Sequence, residues 1–391
     1  MCVGGIKMKK LVVAIGLIFC INISADEFSD FKKQQEAGYK QYKKTINEEF
    51  KAYKKAYQSS YKEFSKELGK KWPSKNGKAQ LSTKSKFIQY GKDLNSKKTI
   101  DYKKKNITLE VIASNQQEAR KKLEKMFNEI IKEDVKTAVK KDILEKKIAK
   151  KLKKVRKPVT SNRKLIADII TAQEKARMKN KLKKQNLILV KHKGKFIYKA
   201  NVKMPPNSMI RKAKTFKKDV LKNANKQQIP AELIFAIMHS ESSFNPMARS
   251  HIPAFGLMQI VPRSAGIDSY QYLYKKKRLL SSSYLYNSSK NITIGSGYLH
   301  VLYYRYLKKI KNPQSRLYCA IAAYNTGAGN VAKTFIGNTN INRASTTINK
   351  LTPQQVYNKL ISNLPYTETR KYLKKVNDRV SAYNKLLKTT I

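Results

Sequence analysis

A reaction that needs a proton donor has few candidates in the second half of this 391-residue chain. Residues 201–391 hold six acidic side chains: Asp219, Glu232, Glu241, Asp268, Glu368 and Asp378. Glu241 stands out by its setting. The run Ile229-Pro230-Ala231-Glu232 predicts a helix start, with Pro suited to the first turn and Glu232 to its positive end. Leu233, Ile234, Ile237 and Met238 continue that helix, and Glu241 follows Ile237 by four and Ile234 by seven. It therefore shares the apolar face. Asn245-Pro246 limits the helix beyond it. A carboxyl so placed is either capped or salt-bridged, or it is a desolvated acid able to donate a proton near neutrality. Spacing alone does not choose.

The following residues do. Ser242-Ser243-Phe244-Asn245-Pro246 comes directly after Glu241, then Ala254-Phe255-Gly256-Leu257-Met258-Gln259-Ile260, then Ala322-Ala323-Tyr324-Asn325-Thr326-Gly327-Ala328-Gly329-Asn330. Taken together and in this order, the three runs resemble the lytic transglycosylases with a goose-type-lysozyme-like fold. Leu364-Pro365-Tyr366-Thr367-Glu368-Thr369-Arg370-Lys371-Tyr372 is similar to the closing segment of that family, and the resemblance covers roughly residues 210–380. It implies a peptidoglycan substrate cut between N-acetylmuramic acid and N-acetylglucosamine without water, leaving a 1,6-anhydromuramoyl end. Glu241 would protonate the glycosidic oxygen and then take a proton from the C6 hydroxyl of the sugar. Met258 and Gln259 would line the saccharide site, with Tyr324 and Asn325 facing it and the Tyr324 phenol beside Glu241. Ser250 would orient Glu241, while Tyr366 and Glu368 would stand on the groove wall. Local capping or an ion pair is an equal reading for Ser250 and Glu368.

The lone carboxylate agrees with this chemistry. Hydrolytic glycosidases pair two carboxyl groups. Glu232 lies about 13–14 Å from Glu241 along the same helix. Asp219 belongs to an earlier helix, Asp268 to a polar loop, and Glu368 and Asp378 to the closing segment. None sits in a motif that would pair it with Glu241, although Glu368 could fold back. A hydrolytic lysozyme-like muramidase and a non-catalytic peptidoglycan-binding protein are the competing readings. No cofactor and no metal are expected, since the four His form no ligand-spaced cluster.

The elements that position these residues read as mainly α. A catalytic domain over 204–391 is helical throughout, and the resemblance makes it lysozyme-like. A smaller α+β domain precedes it over 26–203, opened by an N-terminal amphipathic helix. That helix carries Tyr39, Tyr42, Ile46, Phe50, Tyr53, Tyr57, Tyr61, Phe64 and Leu68 on one face. Gly69 and Trp72-Pro73 end it. Residues 74–98 read as a polar loop, 99–113 as a hairpin, 115–153 as one helix, 163–184 as another and 187–203 as a second hairpin.

The chain begins with an export signal over 1–25: Lys9 and Lys10, an apolar run from Leu11 to Ile21, then Ser24 and Ala25. The bulky Phe19 before Cys20 argues against lipid attachment there, so cleavage after Ala25 is expected, with the product periplasmic and outer-membrane association resting on Cys20. Cleavage leaves Cys319 as the sole cysteine, in an apolar helix that suits a core position. With 84 Lys+Arg against 26 Asp+Glu, the net charge of +58 favours polyanionic partners. Export makes nucleic acid a poor one. Peptidoglycan glycan strands are the expected partner, with peripheral contact to an anionic membrane or cell-wall surface.

Overall fold

The computed structural model describes residues 25–73, 80–153, 159–250 and 253–388. The expected export signal, Cys20 included, lies outside these residues apart from Ala25. The chain divides into one unit ending at Asn47 and another over Glu48–Ile391; the site lies in the second.

The first helix, α1 (Ala25–Gly69), runs to the glycine expected to end it. Five strands follow in two groups: β1 (Lys86–Tyr90), β2 (Ser96–Asp101) and β3 (Asn106–Ile112), then β4 (Ile188–His192) and β5 (Lys195–Lys203). They form one antiparallel sheet in the order β1-β2-β3-β5-β4. Between the groups lie α2 (Gln116–Lys132), α3 (Val135–Lys141), α4 (Ile143–Lys151) and α5 (Ala172–Lys184). Both expected hairpins form. The second closes through Lys193 and Gly194 at φ 50° and 72°, a left-handed pair that fits the twist of the flanking strands.

Side chains of alternate parity divide the sheet into two faces. Phe87, Ile107, Leu109, Val111, Tyr198 and Ala200 join Leu123, Phe127 and Ile130 of α2 in the large core. Tyr90 and Ile197, on the opposite face, join Tyr57, Phe64 and Leu68 of α1 and Leu144 and Ile148 of α4. The aromatic stripe of α1 within this unit is thus a packing face.

Three expectations fail here. Residues 74–98 are not loop throughout: β1 and the start of β2 lie there, paired from Lys86↔Asp101 to Tyr90↔Lys97. Nor is 115–153 one helix. Asp134 and Asp142 turn their carboxylates onto the backbone N–H groups of Thr137 and Glu145 and start new helices. The apolar pattern continues across both breaks and conceals them. Only the second part of the helix expected over 163–184 forms, as α5.

From residue 204 the described chain is helical: α6 (Ser208–Thr215), α7 (Lys217–Gln227), α8 (Ala231–Ser242), α9 (Ile267–Tyr274), α10 (Ser282–Leu285) and α11 (Ser288–His300). Then come α12 (Pro313–Thr326), α13 (Ala328–Ile336), α14 (Ile341–Ile348), α15 (Pro353–Asn363) and α16 (Thr367–Lys388). The fold is therefore mainly α with a small antiparallel sheet, and the buried cluster that begins on that sheet continues through α8, α11, α12 and α16. Cys319 is buried within it, as its apolar setting suggested. None of the described helices is long and apolar enough to cross a membrane.

Candidate active site

Glu241 is the penultimate residue of α8 and is buried, 5% exposed. Helix α8 is hydrophobic on nearly every side and packs along α16. Its end is abrupt. Ser243 and Phe244 take left-handed conformations at φ 51° and 61°, so the chain turns away immediately after the carboxylate. Ser242 Oγ stands between the Met238 carbonyl at 2.9 Å and the Leu257 carbonyl at 2.8 Å, tying the helix end to the next motif. Fully buried Asn245 accepts from the backbone N–H of Met247 at 3.0 Å and donates to the Lys84 carbonyl at 3.2 Å.

The loop bearing Met258 and Gln259 is held from behind by Asn291. Its Oδ1 accepts from Met258 N at 2.8 Å, and its Nδ2 donates to the carbonyls of Phe255 at 2.9 Å and Leu285 at 2.8 Å. Gly256 turns this loop at φ 76°, where a β-carbon would run into Asn291 Nδ2 and the Leu285 carbonyl. Met258 is fully buried, so its side chain packs while its carbonyl accepts from Tyr324 Oη at 2.9 Å. Gln259 Nε2 donates to the Gly256 carbonyl at 3.0 Å, and its Oε1 is buried without a hydrogen-bond partner.

Two further segments meet Glu241. Lys84 Nζ stands 3.6 Å from Glu241 Oε2 and 3.7 Å from Glu368 Oε1. From α16, the buried phenol of Tyr372 acts on the Glu241 carboxyl, though it has no hydrogen-bond partner of ordinary geometry. Lys375 of α16 donates to the Ser240 carbonyl at 3.4 Å, and Arg379 to Ser240 Oγ at 2.8 Å. Thr369 Oγ1 donates to Asn325 Oδ1 at 2.7 Å, fastening α12 to α16.

Burial pushes the Glu241 carboxyl above its ordinary pKa, and Lys84, Tyr372 and Lys375 pull it back by favouring the charged form. The phenols of Tyr324 and Tyr372 are raised well above theirs by burial first and Glu241 second. Lys375 is lowered to about 8 by burial and by Arg379 and Lys103. His239, hydrogen-bonded through Nδ1 to Tyr383 Oη at 3.0 Å, is lowered to about 3 by burial and stays neutral at ordinary pH. The site therefore holds one carboxyl biased toward its protonated form, with cations and neutral phenols around it.

Of the residues singled out in the sequence, Glu241, Tyr324, the Met258 carbonyl and Glu368 converge here. Asn325 joins through Thr369. Ser250, whose carbonyl accepts from Tyr57 Oη at 3.1 Å, pairs its N–H with the Ala254 carbonyl at 3.2 Å. Tyr366 is 57% exposed at the entry to α16. Asp268 is in the first turn of α9, not in a loop, and accepts from Tyr306 Oη at 2.9 Å. Lys84, Tyr372 and Lys375 escaped the sequence reading. Tyr372 lay within the closing motif and repeats the helical phase of Thr369, which was a usable signal; Lys84 had none. Among the described residues, no group of three His, Cys, Asp or Glu could hold a metal ion.

Residues 219–346 match the family model of the transglycosylase SLT domain. Glu241, Met258, Gln259, Tyr324 and Asn325 fall inside the matched segment; Lys84 and all of α16 fall outside it. The chain is 40% identical over 191 residues to the membrane-bound lytic murein transglycosylase C of Salmonella arizonae, covering 49% of this chain and 52% of that one. The namesake of Sodalis glossinidius is 41% identical over 189 residues, with 48% and 52% covered. The chain thus spans about half the length of the curated relatives it matches. Among solved structures, an inactive variant of the lytic transglycosylase Slt of Pseudomonas aeruginosa aligns at 25% identity and a TM-score of 0.36, covering 46% of this chain and 25% of that one.

Proposed function

We propose that this chain is a peptidoglycan lytic transglycosylase that cleaves the β-1,4 bond between N-acetylmuramic acid and N-acetylglucosamine and forms 1,6-anhydromuramoyl ends. Residues 204–391 act as its catalytic, lysozyme-like part and 26–203 as an α+β part ahead of it. The observation that carries the reading is the buried Glu241 carboxyl, biased toward its acid form at the end of α8 and surrounded by Lys84, Tyr372 and Tyr324. Glu241 passes its proton to the glycosidic oxygen as the bond to the muramic C1 breaks. The resulting carboxylate then takes the proton of the C6 hydroxyl as that oxygen closes on C1. The proton count balances, and no water is consumed. The C6 hydroxyl is intramolecular, which gives it a large proximity advantage over water. The names of the relatives support the substrate class and membrane association, and the signal-like residues 1–25 support export to the periplasm. The charge of +58 supports contact with anionic cell-wall or membrane surfaces.

One observation favours a second reading, hydrolysis. Glu368 has folded back, and its carboxylate shares Lys84 with Glu241, whereas the sequence placed it in no pairing motif. Its side chain is 78% exposed, which suits a groove-wall group better than a desolvated nucleophile.

Product analysis separates the two. Purified sacculi digested by the full chain should yield fragments lighter by one water than lysozyme products and lacking a borohydride-reducible muramic end. Reducible muramic acid as the main new terminus would promote the hydrolase. Glu241→Gln should fold and lose about 10²–10⁴-fold in turnover, since Gln is nearly isosteric but transfers no proton. Near-normal turnover by that variant would overturn the assignment, and an inert wild-type protein that still binds sacculi would favour a binding role.

A further inference from the structure

The cation beside Glu241 is delivered by the polypeptide ahead of the matched domain. Lys84 lies in the segment that leads into β1, more than 130 residues before the matched region begins at 219. Its backbone is fixed on the catalytic motif. Asn245 Nδ2 donates to the Lys84 carbonyl at 3.2 Å, and Arg249 N donates to the Thr83 carbonyl at 3.5 Å. The segment is braced within itself as well: Thr83 N donates to the Lys86 carbonyl at 2.9 Å, and Lys86 N to Thr83 Oγ1 at 3.2 Å. Ser82 Oγ accepts from Ile88 N at 2.8 Å and donates to its carbonyl at 3.1 Å. A surface lysine on a free loop would have none of these constraints. The side chain, 42% exposed, then spans from this anchored backbone to two carboxylates at 3.6 and 3.7 Å.

We propose that Lys84 is a positioning residue of the active site: it holds Glu241 and Glu368 in register and offsets the charge that appears on Glu241 when its proton is delivered. The sheet-bearing part of the chain thereby completes the catalytic centre. This inference rests on the lytic reading above. When Glu241 gives its proton to the leaving oxygen, a carboxylate forms in a buried position, which is costly unless a cation is at hand. Lys84 supplies it until Glu241 is reprotonated from the C6 hydroxyl.

The other groups acting on Glu241 do not replace it. Tyr324 of α12 and Tyr372 of α16 are phenols held neutral by burial. Lys375 of α16 is committed to the Ser240 carbonyl and depressed to about 8, with Arg379 and Lys103 opposing its charge. Glu368 of α16 is an anion and reaches the site through Lys84 itself. On α8, His239 is neutral and bonded to Tyr383.

The test uses the full chain carrying Lys84→Met, Lys84→Gln or Lys84→Arg, with Glu241→Gln alongside. Turnover of soluble peptidoglycan fragments is followed against pH, and thermal melting is recorded. Lys84→Met and Lys84→Gln should melt near the wild type and lose about 10-fold in kcat with KM little changed, less than the roughly 10²–10³-fold typical of a fully desolvated group because Lys84 is partly screened by solvent. Free enzyme must carry a protonated Glu241, so activity falls as pH rises through its pKa. Loss of a cation favours the protonated form, and the basic limb of kcat/KM should move to higher pH. Lys84→Arg should restore both. Wild-type turnover with an unmoved limb in Lys84→Met would overturn the proposal. So would a loss of activity that tracks a lowered melting temperature and leaves the limb in place. If Glu241→Gln remained active, the lytic reading itself would fall, whatever the lysine variants did.

Discussion

In the proposed reaction Glu241 must be a good acid in one step and a stable base in the next, and its surroundings suit both demands. Burial raises its pKa, and Lys84, Tyr372 and Lys375 limit the rise. This has a thermodynamic consequence. A carboxyl whose folded pKa exceeds its unfolded value binds its proton more tightly in the fold, so stability is full below the unfolded pKa. It is lost as pH rises through the interval up to the folded one. The reference value is 4.5 and the folded value lies above it. Glu241→Gln lacks that loss. It should therefore melt at a higher temperature than the wild type at pH 8, and the gap should close at pH 3.5. Melting curves at the two pH values check this, and equal stability at pH 8 would refute the account of burial. An inactive yet more stable variant is what a site strained toward function predicts.

At the scale of elements, the site is made by chain segments that end or turn abruptly. Helix α8 stops one residue after Glu241, and the following loop packs on Asn291. Three non-glycine residues, Ser243, Phe244 and Gln259, sit in left-handed backbone regions at φ 51°, 61° and 48°. Such conformations cost of order 1–3 kcal/mol each and persist only where surrounding contacts impose them. Gly256 is the residue on which the second loop depends, because both its φ of 76° and its contact with the Leu285 backbone exclude a β-carbon. Gly256→Ala should destabilise the fold by about 2–4 kcal/mol, the strain and the overpacking adding together. Urea denaturation measures it directly. Turnover should fall as well, since the Met258 carbonyl that holds Tyr324 moves with this loop.

At the scale of the molecule, the helical part and the sheet-bearing part share more than the Lys84 contact. Arg249, buried in the loop just before Ser250, pairs with Asp142 and lies 3.9 Å from Glu145. Glu145 in turn accepts from Ser282 Oγ at 2.8 Å, and Tyr57 donates to the Ser250 carbonyl. This is a buried charge cluster that joins α1, α4, α10 and the loop beyond α8. Removing one member of such a cluster leaves uncompensated buried charge and typically costs about 3–5 kcal/mol. Arg249→Met should lower stability by that amount, measured by chemical denaturation. Combining it with Asp142→Leu should recover part of the loss, because the second change removes the orphaned anion. Absence of any recovery would mean that packing, not charge, holds the two parts together.

Much of this was legible in the linear sequence because it is written in local signals. The helix bearing Glu241 announced itself through Pro230, Glu232 and a period of three to four. The motifs that carry the family resemblance lie within one stretch of chain. The hairpin at Lys193-Gly194 followed from turn chemistry, and the breaks at Asp134 and Asp142 went unread because a capping carboxylate leaves the apolar period intact. The strand β1 was missed for a different reason. Two of its five residues, Lys86 and Gln89, are polar, and it becomes a strand only by pairing with β2. Lys84 marks the limit most sharply. In a chain with 84 basic residues, no local pattern distinguishes the one whose ammonium meets Glu241. That meeting is decided by the sheet, which fixes where its approach segment runs, and by Asn245, which captures its carbonyl. Sequence determined which carboxyl is apolar enough to hold a proton; tertiary packing decided which cation tempers it, because charge interactions depend on distance in space and leave no trace in spacing along the chain.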